Sequence, residues 1–212
     1  MYYPLVNIGY IILFISLVLF IKGFANKGKA YIIFTWYLGL VFSVQIISNI
    51  LMRLRIHNLF LSHIYFIGQF VLLSFFYQNL LKEKRQKKIV NLCLIIGLLA
   101  IGIQYAVDPM VFYKFNMFEI FVTSFLVIIY AVMHFYNMLN DKKEYYYINI
   151  GILSYLSGST ILFFVGNLTA ELSPKISLLT WTLNAFLLIV YYLLIVYDWI
   201  KNFSKKEIKL KR

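Results

Sequence analysis

The sequence predicts an all-α polytopic membrane protein: a seven-transmembrane-helix bundle with its N-terminus outside and its C-terminus in the cytoplasm. Three observations carry this reading. The chain is 62% hydrophobic and only 13% charged, with a mean hydropathy of +0.81. A soluble domain of 212 residues needs far more polar surface than that. The apolar residues gather into seven runs, each close to the ~20 residues that cross ~30 Å of hydrocarbon as a helix. Finally, lysine and arginine fall between the runs in a pattern that alternates from loop to loop.

The runs occupy residues 4–21, 30–52, 59–81, 89–107, 117–137, 145–167 and 177–200. Hydrocarbon offers no hydrogen-bond partner to bare backbone, so each run is expected to be a helix. The first begins without a basic segment and is followed by no small-residue cleavage site, so it reads as a span and not as a signal peptide. Turn and charge signals fill the gaps: GFANKGK, RLRIHN, KEKRQKK, DPMVFYKFN, NDKKE and LTAELSPK. Short connections predict antiparallel neighbours. Residues 1–203 are therefore expected to form one transmembrane domain, and 204–212 a basic cytoplasmic tail. Tyr2, Tyr3, Tyr31, Tyr113, Tyr145, Tyr146, Tyr147 and Trp199 sit near span ends, as an interfacial aromatic belt would.

Orientation follows from the charges. Sixteen of the 20 basic residues fall in the loops after runs one, three, five and seven, Lys82, Lys84, Arg85, Lys87 and Lys88 being the densest group. The opposite side holds Arg53, Arg55, Lys114 and Lys175. Basic loops stay in the cytoplasm, which puts the N-terminus outside and implies the plasma (bacterial inner) membrane. The net charge of +12 is then a topology signal beside anionic lipid, and not a nucleic-acid footprint. The single cysteine, Cys93, excludes an intrachain disulfide and a cysteine-rich metal motif.

Bundle faces in membranes carry small and polar residues. Run five shows the clearest stripe: Glu119, Thr123, Tyr130, His134 and Asn137 share a narrow arc at 100° per residue. Run seven repeats it with Thr180, Asn184, Tyr191 and Asp198. Run two aligns Gln45, Ser48, Asn49 and Met52. Run three aligns Ser62, Tyr65 and Gln69, with His63 at the edge. Run four aligns Cys93, Gly97, Ala100 and Gln104, and run six aligns Gly151, Gly158 and Gly166 with Ser154 beside them. With the N-terminus outside, Gln45, Asn49, His63, Gln69, Glu119, Thr123, Trp181 and Asn184 converge in the outer half. They are the candidate ligand-binding residues. Interhelical hydrogen bonding and close packing compete with that reading, especially at the Ser, Thr, Cys and Gly positions. Glu119 is the acid expected deepest in the outer half, where a carboxylate pairs or faces a cavity. Its candidate partners are His63, Arg53 and Arg55, and an interfacial position at the helix N-terminus is the alternative.

Several chemistries lack their motifs. There is no HExxH, GxxxxGK, GxSxG or GxGxxG after a strand. No lysine lies within run seven to hold a retinal, no arginine ladder senses voltage, and Pro4, Pro109 and Pro174 all fall outside span centres. His57, His63 and His134 are too scattered in depth to share a metal. No catalytic residue, metal or cofactor is assigned.

Seven spans, N-terminus outside and C-terminus inside, short loops and an outer polar pocket resemble bacterial seven-transmembrane sensory (receptor-type) domains. Those domains are often joined to a kinase or cyclase, whereas no output domain follows here. The resemblance implies a small stand-alone sensor that takes a small or lipid-like ligand from the outer side. It would signal through helix seven and its tail to a kinase or other membrane partner, or through oligomerisation. The alternatives are a small carrier or transport-assembly subunit, and a lipid-modifying enzyme using Glu119 and His63.

Overall fold

A computed structural model describes residues 2–24, 27–140, 143–169 and 173–204. Lys142 and the tail residues 205–212, which the sequence reading counts as cytoplasmic charges, lie outside them. The described chain is all-helical: α1 Tyr2–Lys22, α2 Lys29–Arg53, α3 Phe60–Leu80, α4 Lys84–Val107, α5 Met117–Asn137, α6 Tyr146–Thr169 and α7 Pro174–Asn202. All seven are long and apolar enough to cross a membrane. Two helices outrun their apolar segments. α4 starts at Lys84 because the basic residues before Ile89 are good helix formers. α7 starts at Pro174, whose fixed φ suits a first helical position. The stretch between α4 and α5, expected as a plain turn, contains a 3₁₀ helix, Pro109–Tyr113, started by Asp108 accepting the Met110 N–H at 3.1 Å.

Large apolar side chains point outward along these helices, Ile103 being 62% and Ile161 64% exposed. That inverts a soluble protein and suits a hydrocarbon surround. The chain falls into two compact units. One comprises Met1–Lys27 with Phe135–Arg212, and the other Gly28–His134.

In the first unit α7 packs against both α1 and α6. The α6–α7 seam is set by glycines. A Cβ on Gly151 would lie 2.7 Å from the Tyr191 ring, one on Gly158 2.7 Å from Leu187 Cδ1, and one on Gly166 2.9 Å from Thr180 Oγ1. The glycine stripe therefore buys close approach between backbones. Ser154 does not belong to it: it is exposed, and Ser159 is buried instead. Tyr155 stacks on Tyr191, ring centroids 5.4 Å apart.

In the second unit α3 packs against α2 and α4. Gly68 permits the α2 contact, since a Cβ there would collide with Leu40. The buried line of α3 runs through His63, Phe66, Phe70, Leu73 and Tyr77. This shifts the expected face: Ser62 and Tyr65 are only half-buried, while His63 lies in the core line and not at its edge. Packing of the large aromatic residues outweighs the polar stripe in turning the helix. On α2, Met52 is likewise 51% exposed. Many buried hydroxyls return to their own helix, as Thr35 does to the Tyr31 carbonyl (2.9 Å) and Ser74 to that of Phe70 (2.6 Å). They need no neighbouring helix to be satisfied.

Candidate functional site

The polar centre of the second unit forms where the start of α3, the end of α4, the 3₁₀ helix and the start of α5 meet. Asn116 immediately precedes α5 and caps it, its side-chain oxygen accepting the Glu119 N–H at 3.2 Å. The sequence Asn116-Met-Phe-Glu119 has capping-box spacing, in which the glutamate would reach back to the cap. Here it does not. The Glu119 side chain turns to His63, whose Nδ1 lies 3.1 Å from Oε2, and to Tyr105, whose hydroxyl donates to the same oxygen. The Tyr105 hydroxyl is also 2.8 Å from His63 Nδ1. Glu119 is 0% and His63 2% exposed.

The proton positions on His63 follow from its partners. Nε2 lies 3.0 Å from the Phe112 carbonyl oxygen, which can only accept, so Nε2 carries a hydrogen. Nδ1 then either accepts from a protonated Glu119 or, in an imidazolium, donates to a carboxylate. Both arrangements carry no net charge, and a single proton moved between Nδ1 and Oε2 interconverts them. Neutrality in either form suits a helix-enclosed depth where an isolated charge is costly. In neither form does the other glutamate oxygen gain a donor: Oε1 is buried and has no hydrogen-bond partner among the described residues.

Aromatic packing fixes the imidazole. Phe112 stacks on it at 5.3 Å and Tyr105 meets it edge-on at 5.6 Å. The 3₁₀ helix thus supplies both a carbonyl and a ring to His63. Beside the cluster, Gln104 and Asn116 exchange two hydrogen bonds, Asn116 Nδ2 to Gln104 Oε1 at 2.8 Å and Gln104 Nε2 to Asn116 Oδ1 at 3.3 Å. They tie the end of α4 to the cap of α5.

Of the candidate binding residues, the structure brings His63 and Glu119 together. Thr123 is one turn away, its hydroxyl spent on the Glu119 carbonyl at 2.8 Å. Gln69 lies six residues along α3 from His63, roughly 9 Å by helical rise, and accepts from Tyr37 at 3.3 Å. It serves the α2–α3 contact. Gln45 and Asn49 are half-buried on α2. Trp181 and Asn184 belong to the other unit, where Trp181 packs on Phe163 at 5.8 Å. Arg53 and Arg55 are corrected as partners of Glu119: both are exposed, because α2 ends at Arg53 and the chain turns outward through Arg55 at φ 58°. Glu119 lies in the first turn of α5 and is fully enclosed by protein.

Sequence reasoning missed Tyr105 and the Phe112 carbonyl. A tyrosine near a span end reads as an interfacial aromatic, and a backbone carbonyl has no signature. The Asn116–Glu119 spacing was the available signal. Among the described residues no three His, Cys, Asp or Glu side chains are placed to hold a metal. No protein-family model, curated protein or solved structure matches this chain.

Proposed function

We propose that this chain is a receptor-type sensory membrane protein, N-terminus outside and C-terminus cytoplasmic, whose ligand-responsive site is the His63–Tyr105–Glu119 cluster. The orientation rests on the sixteen-to-four division of basic residues. It puts the cluster toward the outer face. One observation carries the functional reading: the buried Glu119 Oε1 has no hydrogen-bond partner while its twin oxygen has two. A buried acceptor left open is costly, and a ligand that donates to it removes that cost. Its binding would also favour one of the two proton arrangements, giving a neutral cluster two states to be chosen between. α7 and the tail carry the response to a cytoplasmic or membrane partner.

Hydrogen–deuterium exchange in lipid nanodiscs tests this on the wild type, Glu119→Gln and His63→Gln. A receptor site changes protection at the far end of the same unit, around residues 81–84 and 134, as well as near the substitution. Changes confined to residues 59–66 and 104–123 would reduce the cluster to a local packing device. Impermeant labelling of single cysteines in a Cys93→Ser background tests the orientation. Positions 57, 110 and 173 are expected to react from outside and positions 82–88 to be protected. Reactive 82–88 positions would reverse it.

A further inference from the structure

His63, Tyr105 and Glu119 stand on three long helices, but the 3₁₀ helix packed against them, Pro109–Tyr113, is five residues long and none of the five is buried. Phe112 seats it. The Phe112 ring stacks on His63 at 5.3 Å, lies 6.4 Å from the Phe60 ring and meets Tyr105 at 6.2 Å, and its carbonyl oxygen accepts the His63 Nε2–H at 3.0 Å. Nε2 keeps its hydrogen in both proton arrangements of the His63–Glu119 pair, so this latch is present in each. The segment's backbone bonds stay local: the Met110 and Val111 N–H groups go to Asp108, and the Lys114 N–H goes to the Val111 carbonyl. Short 3₁₀ stretches have poorer hydrogen-bond geometry than α-helix. Segments with few buried contacts open at the least free-energy cost. Beneath this segment His63 is 2% exposed.

We infer that the 3₁₀ helix is a lid latched to His63 through Phe112, and that it admits a water-borne polar hydrogen-bond donor to the cluster from the end of the bundle. The inference rests on the receptor reading of the cluster and narrows its ligand class to polar solutes. Position argues for entry from water. Residues 109–113 lie between two candidate spans, Lys84–Val107 and Met117–Asn137. Asp108 and Lys114 flank them, charged and exposed, and such side chains are costly in hydrocarbon. The way in from the bilayer side would be the groove between α4 and α5, of about 270 Å³. Its lining, which includes Gly97, Phe121 and Phe125, is apolar and contains no member of the cluster.

The test uses the full chain in phosphatidylcholine nanodiscs and diethyl pyrocarbonate, which acylates histidine ring nitrogens from water. The three histidines give internal standards: His57 is exposed, while His63 and His134 are buried. Peptide mapping of the wild type is expected to rank His57 fastest, then His63, then His134, because His63 lies beneath the lid and His134 does not. Phe112→Ala should raise the His63 rate about tenfold, the ratio that ~1.4 kcal/mol of lost ring packing produces, with His57 and His134 unchanged. Phe112→Tyr keeps the ring and Phe125→Ala widens only the groove, so both should leave His63 at its wild-type rate. A wild-type His63 that reacts no faster than His134 would overturn the inference, and that result depends on no variant folding. Acceleration by Phe125→Ala in place of Phe112→Ala would overturn it too, since the bilayer side would then be the way in. Those failures leave the exchange experiment free to support or sink the receptor reading. Lid-dependent rates without remote exchange changes would keep the lid and discard the receptor.

Discussion

Asp198 in the unit of α1, α6 and α7 and Glu119 in the unit of α2 to α5 are both 0% exposed, and both lie near a helix end. Their surroundings differ. Asp198 accepts the Ile148 N–H of α6 at 3.1 Å through Oδ2 and the Asn202 side-chain N–H through Oδ1. It acts as an N-cap supplied by α7 for a helix whose preceding residue, Tyr145, has a φ of 54°. Beside it, Lys201 bonds the Tyr147 hydroxyl at 2.8 Å and sits 4.8 Å over the Tyr147 ring. Every acceptor on Asp198 thus faces a fixed donor. Glu119 has both its hydrogen-bond partners on one oxygen, and both are groups that can exchange a proton. A fully partnered acid holds two helices together. A half-partnered one keeps an acceptor open.

A series of substitutions sharpens or breaks that comparison. The largest effect is expected in the anchored unit, at the seam Asp198 secures. Gly151→Leu drives a side chain into the Tyr191 ring, which is itself stacked on Tyr155, and should cost about 3 kcal/mol. Gly158→Leu should cost less, because the tip of Leu187 can swing aside, yet more than Leu162→Ala on the half-buried flank. Denaturant or thermal unfolding in detergent ranks the three, and a normal melting temperature for Gly151→Leu would mean that α6 and α7 do not pack this closely.

Next, Asp198→Ala should cost about 2 kcal/mol by stranding the Ile148 N–H, while Asp198→Asn keeps an acceptor and should cost less than ~1 kcal/mol. If alanine and asparagine behave alike, the charge and not the cap matters, and the contrast with Glu119 weakens. Glu119→Gln retains shape and should change stability by ~1 kcal/mol or less while removing the response that exchange measurements read. Combined with His63→Gln, the double change should cost less than the two single changes added, by ~0.5–3 kcal/mol. Strict additivity would show that the pair is not energetically coupled. The smallest effect belongs to Tyr105→Phe, about 0.5–1 kcal/mol, since His63 still serves Oε2. A larger loss would make the tyrosine hydroxyl the principal support of the glutamate.

The seven long apolar helices were legible from run length and hydropathy alone, because a hydrocarbon surround imposes the same length and backbone demand on every span. The glycines of α6 were legible as well, since close approach is the main use for small residues on a membrane helix. The His63–Glu119 pairing could be named from composition, as few partners exist for a buried acid, but Arg53 and Arg55 were equally available on paper. Only the turn at the end of α2, which sends both arginines outward, removes them. Tyr105, Asn116 and the Phe112 carbonyl entered the site through the path of the chain between α4 and α5. Sequence periodicity determines which residues share a face of one helix. Which faces meet, and which oxygen is left without a donor, depends on aromatic packing and a short 3₁₀ turn across distant segments, where no local pattern reaches.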